Sequence, residues 1–219
     1  GFTKEETENV LIEMNFLGID DVLALRGDPP RGSRSFIPEK DGHSYTSELV
    51  GQIVDMNNGK YLEDSLQDTA PTSFCIGVAG YPEKHFEAPN RQVDLENLKI
   101  KVDAGASYIV TQMFFDNRKF FRFRDECRSI GIDVPVIAGI KPISALNDIN
   151  LLPQTFHIDM PNDLVVALRK CTNDNEAREV GIEWAVQQSK ELIAEGVPGI
   201  HYYTLGRSDN VARIVKAAF

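Results

Sequence analysis

Five short apolar runs, each separated from the next by a segment with helical patterning, constrain this chain more than any other feature. The runs cover residues 22–28, 73–79, 108–115, 134–140 and 200–205. The first, through Val22-Leu23-Ala24-Leu25, is apolar on both faces of an extended chain, the pattern of a buried strand in a parallel sheet. Helical patterning fills residues 3–16, 46–57, 93–104, 117–130 and 175–194, with broken helical stretches after residue 142 and a short one at the end. Thr3, with Glu6 three residues on, forms a capping-box pattern, and Gly105 and Gly131 stand where helices stop. Alternation of this kind gives a parallel sheet covered by helices. No G-x-G-x-x-G follows a strand and no P-loop pattern occurs, so an open nucleotide-binding sheet is a poor fit. Polar residues at successive strand ends suit a TIM barrel, which needs eight strands. The sequence therefore predicts an α/β chain covering part of such a barrel, in one domain over residues 1–219.

Composition removes several functional classes. The 219 residues carry 33 acidic and 23 basic side chains, for a formal charge of −10. That balance argues against a phosphate-backbone-binding surface, and so against a nucleic acid partner. Three widely spaced cysteines, Cys75, Cys127 and Cys171, form neither a disulfide framework nor a zinc pattern and read as reduced thiols. No apolar run approaches the roughly 20 residues a bilayer span requires, so no membrane partner is expected.

The strand ends hold the candidate chemistry. Leu25-Arg26-Gly27-Asp28 closes the first strand, and Gly27 lets backbone approach a ligand closely. Tyr81-Pro82-Glu83-Lys84-His85 leaves the second. Metal ligation by His85 is not supported, because its loop offers no partner ligands. Asp94, Asn97 and Lys101 fall at i, i+3 and i+7, one face of a helix, which pattern alone explains as a solvated face. Thr111-Gln112 interrupts an apolar strand. Gln112 must find hydrogen bonds in a core network or read a heterocycle edge with its donor and acceptor. Lys141 ends the fourth strand, where a buried lysine could form a Schiff base. Pro142 beside it and the lack of an adjacent acid favour a solvated lysine. Arg207 follows Tyr203-Thr204-Leu205-Gly206 and suits a carboxylate or phosphate. His201, near the start of the last strand, reads as a core histidine.

Together these segments resemble the methylenetetrahydrofolate reductase family. The matching stretches are Ala24-Leu25-Arg26-Gly27-Asp28, Ala79-Gly80-Tyr81-Pro82-Glu83 with His85, Lys101-Val102-Asp103-Ala104-Gly105-Ala106, Thr111-Gln112-Met113-Phe114-Phe115-Asp116, Gly139-Ile140-Lys141-Pro142 and His201-Tyr202-Tyr203-Thr204-Leu205 with Arg207. They occur in the family's order. The resemblance implies a flavin-bearing TIM barrel that reduces 5,10-methylenetetrahydrofolate to 5-methyltetrahydrofolate, with NADH or NADPH as electron source, in one-carbon and methionine metabolism in the cytoplasm. It implies FAD contacts at Arg26, Gly27, Asp28, Tyr45, Thr46, Tyr81, His85, Ala88, Asp94, Asn97 and Lys101. Asp28 and Gln112 become the catalytic pair, and Asp28, Gln112 and Arg207 the folate-binding set, with no metal. One face used by both substrates in turn implies ping-pong kinetics.

Three positions depart from the family pattern: Ile100 replaces an arginine, Asp148 falls near a folate-binding glutamine, and Gly206 replaces an asparagine before the arginine. The family's general acid, a glutamate on the first strand, has no counterpart here. The resemblance thus places this chain at strands four to eight, in a bacterial-type protein, with a homo-oligomer left open. Two readings compete: a non-catalytic folate- or flavin-binding remnant, and a Schiff-base lyase using Lys141.

Overall fold

The computed structural model describes residues 1–27, 29, 36–206 and 208–219. Two residues of interest, Asp28 and Arg207, lie outside them. The elements alternate: α1 (Lys4–Phe16), β1 (Asp21–Ala24), α2 (Thr46–Asn57), β2 (Cys75–Gly80), α3 (Arg91–Asp103), β3 (Tyr108–Thr111), α4 (Asn117–Ser129), β4 (Val136–Ile140), α5 (Asp148–Phe156), α6 (Asn162–Arg169), α7 (Asp174–Ala194), β5 (Ile200–Tyr202) and α8 (Asp209–Ala218). The strands form one five-stranded sheet in chain order, β1-β2-β3-β4-β5. β1 runs parallel to β2, from Asp21 opposite Cys75 to Ala24 opposite Val78, and β4 runs parallel to β5, from Ala138 opposite Ile200. Strands that neighbour in both sequence and space, each separated by a helix, have the βα order of a TIM-barrel-like fold.

The chain divides into two compact units, residues 1–79 with 96–109, and residues 80–95 with 110–219. In the first, Val50, Ile53 and Met56 of α2 are buried, as are Phe74, Ile76 and Val78 around β2. Gly77 is required there, since a Cβ would lie 2.3 Å from the Tyr108 ring. The Tyr108 hydroxyl donates to the Val22 carbonyl at 3.2 Å. In the second unit, Met113, Phe115, Ile143, Leu152, Ile158, Leu164, Leu168 and Ala177 form one core. Thr111 is fully buried, and its hydroxyl accepts from the Gly139 N–H at 2.9 Å. The Tyr203 hydroxyl donates to the Thr111 carbonyl at 2.8 Å. This polar knot ties β3 to β4 and to the end of β5.

Five expectations are corrected. Among the described residues, the runs at residues 22–28, 108–115 and 200–205 pair as strands only to Ala24, Thr111 and Tyr202. Met113, Phe114 and Phe115 are buried beyond β3 without pairing, because burial, not sheet membership, is what an apolar run demands. β1 is not buried on both faces: Leu23 is 40% exposed and Leu25 53%. It is an edge strand of the described sheet, with cover on fewer sides. Pro153 does not break its segment but lies within α5, whereas Pro161 stands at the start of α6. His201 is exposed rather than in the core, its ring edge-on to Tyr203 with centroids 4.6 Å apart. Lys141 is buried, not solvated, at 7% exposure.

Candidate functional site

β2 ends at Gly80, and the chain turns at once through residues 81–90 into α3. Within the second unit this turn collects Tyr81, His85, Ala88 and Asp94. The Tyr81 and His85 rings meet edge-on, with centroids 4.5 Å apart. His85 also stacks on Phe86 at 4.9 Å, and Phe86 on His157 at 5.1 Å. Asp94, in the first turn of α3, is buried at 7% exposure and accepts the His85 N–H at 3.2 Å. A carboxylate at a helix N-terminus is favoured by the helix dipole. Ala88 is buried, and its N–H donates to the His85 carbonyl at 3.1 Å.

Two cations hold this turn in shape: Lys84, from the Tyr81-Pro82-Glu83-Lys84-His85 stretch, and Arg91, which sequence reasoning did not single out. Lys84 has a positive φ of 108° and donates through Nζ to the carbonyls of His85, at 2.9 Å, and Ala88, at 2.6 Å. Arg91 donates to the Tyr81 carbonyl at 2.6 Å and pairs with Asp94 at 3.7 Å and Glu126 at 2.7 Å, with its guanidinium over the Phe123 ring. Burial alone would raise the Glu126 carboxyl, but hydrogen bonds from Arg122 and Arg91 outweigh it and hold the group below the usual carboxylate range. The only signal in the sequence was an arginine opening a helix directly after a polar loop.

Gln112 follows the last residue of β3. Its N–H donates to the Gly80 carbonyl at 2.8 Å, and its side-chain oxygen accepts the Met113 N–H at 2.9 Å. The carboxamide NH2 meets no acceptor among the described residues. The half-buried amide is thus fixed at one end and open at the other, with two donors to offer.

Arg26, Gly27, Tyr45, Thr46, Asn97 and Lys101 belong to the first unit. Gly27 has φ +84°, a conformation that favours glycine, immediately before Asp28. Arg26 lies over the Phe36 ring at 5.0 Å. Tyr45 is exposed and Thr46 opens α2. Asn97 is exposed, while Lys101 reaches back to the Ala79 carbonyl near the end of β2. The helix face that pattern alone read as solvated is therefore mixed: its first member is buried and its last is engaged with a strand end.

In the second unit, Lys141 directly follows β4, with its Nζ donating to the Pro142 carbonyl at 2.9 Å. Burial pushes the ammonium pKa below its usual value, and the Asp148 carboxylate opposes that shift. The expectation of no neighbouring acid is thus corrected: Asp148 is itself buried, its carboxylate accepting the N–H groups of Ser144 and Ala145 at 2.8 and 3.2 Å. Among the described residues no cluster of three or more His, Cys, Asp or Glu could hold a metal, and no helix is long and apolar enough to cross a membrane.

The sequence model of the methylenetetrahydrofolate reductase family matches residues 2–218. The chain is 38% identical over 208 residues to 5,10-methylenetetrahydrofolate reductase of Salmonella typhimurium, covering 94% of this chain and 63% of that protein. It is 39% identical over 193 residues to the Escherichia coli protein of the same name, covering 88% of this chain and 58% of that one. The Arabidopsis thaliana protein named methylenetetrahydrofolate reductase (NADH) 1 is 37% identical, over 92% of this chain and 33% of its own length. This chain thus spans somewhat under two thirds of the length of the bacterial relatives it matches. Among solved structures, an uncharacterized Clostridium thermocellum protein that binds two copies of 5-methyl-5,6,7,8-tetrahydrofolic acid superimposes with a TM-score of 0.52 at 14% identity, covering 99% of this chain and 68% of its own. At that identity the likeness concerns the fold.

Proposed function

The chain belongs to the methylenetetrahydrofolate reductase family, and from that premise we propose that it is the strand-four-to-eight portion of a single catalytic barrel domain that reduces 5,10-methylenetetrahydrofolate to 5-methyltetrahydrofolate. The proposed cofactor is FAD, the proposed electron source NADH or NADPH, and the proposed setting cytoplasmic one-carbon metabolism. The observation that carries this reading is the turn after β2, where the His85 backbone N–H donates to buried Asp94 and the His85 ring packs on Tyr81. These residues fit a flavin nucleotide. Aromatic edges, small Ala88 and open backbone after a strand end are the surfaces on which such groups rest.

Tyr81, His85, Ala88, Asp94, Asn97 and Lys101 would hold FAD, with Arg26, Gly27, Asp28, Tyr45 and Thr46. Bound FAD would supply hydride chemistry. The chain's own residues supply the rest. The open NH2 of Gln112 donates to a heteroatom on the edge of the pterin, and of the nicotinamide in its turn. A carboxylate at Asp28 makes the local field negative and stabilises the cationic iminium formed as the folate ring opens. Arg207 meets the charged benzoylglutamate end.

The test is the visible spectrum of the purified chain with added FAD, before and after anaerobic NADH. A flavin spectrum that bleaches supports the reading. A colourless protein that takes up no FAD, both alone and in a version lengthened to the extent of its relatives, overturns it. In that longer protein, Asp28→Asn is expected to lower folate reduction by tenfold or more while NADH oxidation changes less.

A further inference from the structure

The second unit contains a cavity of about 540 Å³ that none of the roles above uses. Its lining includes Lys141, Tyr203, Arg178, Asn175, Asp209 and Asn210. Lys141 is more than nine-tenths buried, and its Nζ has one acceptor, the Pro142 carbonyl. Two of its three donor hydrogens therefore lack partners among the described residues, and none of the described carboxylates lies within 4 Å of it, although Asp148 acts on it at longer range.

Other features point into the same space. The first turns of two helices line it, Asp174 and Asn175 of α7 and Asp209 to Val211 of α8. Ser208, the residue before α8, makes no side-chain cap bond, so the first N–H groups of α8 are not satisfied by a cap. Arg178 donates to the Asn210 side-chain oxygen, so that amide oxygen is already engaged. The two aspartates on the rim are already engaged. Asp174 accepts the Leu146 N–H at 2.9 Å, and Asp209 lies 4.0 Å from Arg178.

We propose that this cavity is an oxyanion subsite in which Lys141 is the buried anchor and Arg178 and the start of α8 form the rim. A buried lysine lining an open cavity beside Arg178 and a helix start is an arrangement that a carboxylate or phosphate completes, because the anion supplies acceptors for the unused ammonium hydrogens. If the reductase reading holds, two sources carry that chemistry: the carboxylates of a folate tail and the phosphates of a dinucleotide.

The experiment titrates the purified chain with two probes, γ-glutamylglutamate and inorganic pyrophosphate, followed by calorimetry at low salt. It is repeated with Lys141→Met and Arg178→Gln, each checked for folding by circular dichroism. One or both probes are expected to bind wild type saturably. Lys141→Met should weaken the bound probe tenfold or more, and rim-exposed Arg178→Gln threefold or more. Tighter γ-glutamylglutamate assigns the subsite to the folate tail, and tighter pyrophosphate assigns it to the dinucleotide. No saturable binding to wild type, or equal affinity in wild type and both folded variants, overturns the proposal. Neither probe contains a pterin, flavin or nicotinamide. Lys141-dependent binding by a chain that takes up no flavin would therefore count against the reductase reading alone.

Discussion

Lys141, just after β4, and Gly139, within it, carry opposite obligations. Burial lowers the Lys141 pKa, so between its folded value and the ordinary 10.5 the unfolded chain holds the proton more tightly than the folded chain does. Stability from this group rises with pH across that window, and at pH 7 the charged ammonium is a cost. Lys141→Met is therefore expected to unfold at a higher temperature than wild type at pH 7. The gap should narrow as pH approaches 10; a thermal melt series across pH checks it. A residue that costs stability and yet fills a strand end is what a ligand-binding role predicts. Gly139 shows the reverse case. A Cβ there would lie 2.1 Å from the Thr111 carbonyl oxygen, which is backbone and cannot swing away. Gly139→Ala is expected to cost about 2 kcal/mol or more in urea unfolding, and Tyr203→Phe, which removes only the hydroxyl's bond to the same oxygen, about 1 kcal/mol.

At the scale of elements, α4 shows how packing decides reactivity. Phe120, Phe123 and Cys127 fall on one side of the helix and are buried. Burial pushes the Cys127 thiol up to about 12, with the Arg91 guanidinium opposing. The thiolate is the reactive form, so Cys127 should stay unlabelled by a disulfide reagent at pH 8 until the protein unfolds. Half-buried Cys171, after α6, should react first. Mass mapping of the labelled peptides in native buffer and in urea checks the order; prompt labelling of Cys127 in native buffer would contradict the packing described for α4. The same element logic explains the turn after β2. Arg91 opens α3, and its guanidinium holds Tyr81, Asp94 and Glu126 together, so Arg91→Ala should weaken any flavin uptake through loss of positioning rather than of a direct contact.

For the whole molecule, the two compact units share continuous elements: the division falls inside α3, between Leu95 and Glu96, and inside β3, between Ile109 and Val110. Trp184, the single tryptophan, belongs to the second unit and donates to the Phe115 carbonyl at 3.0 Å. Because a helix and a strand pass through both units, urea unfolding followed by Trp184 fluorescence should coincide with the far-ultraviolet dichroism of the whole chain. Separate midpoints would mean that the units unfold independently. The alternation of strand and helix, the helix at residues 46–57 and the capping box at Thr3 and Glu6 were legible in the sequence, because period, breakers and caps act over a few residues. The position of Tyr81, His85 and Gln112 just after strands was legible too, since a βα order places such turns directly after each strand. Strand lengths were not legible, because Met113, Phe114 and Phe115 look the same to a pattern whether they pair or merely pack. Nor were the burial of Lys141, the clamp at Arg91 or the exposure of β1. Each depends on which distant side chains close over a residue, and that is set by the tertiary packing rather than by neighbours along the chain.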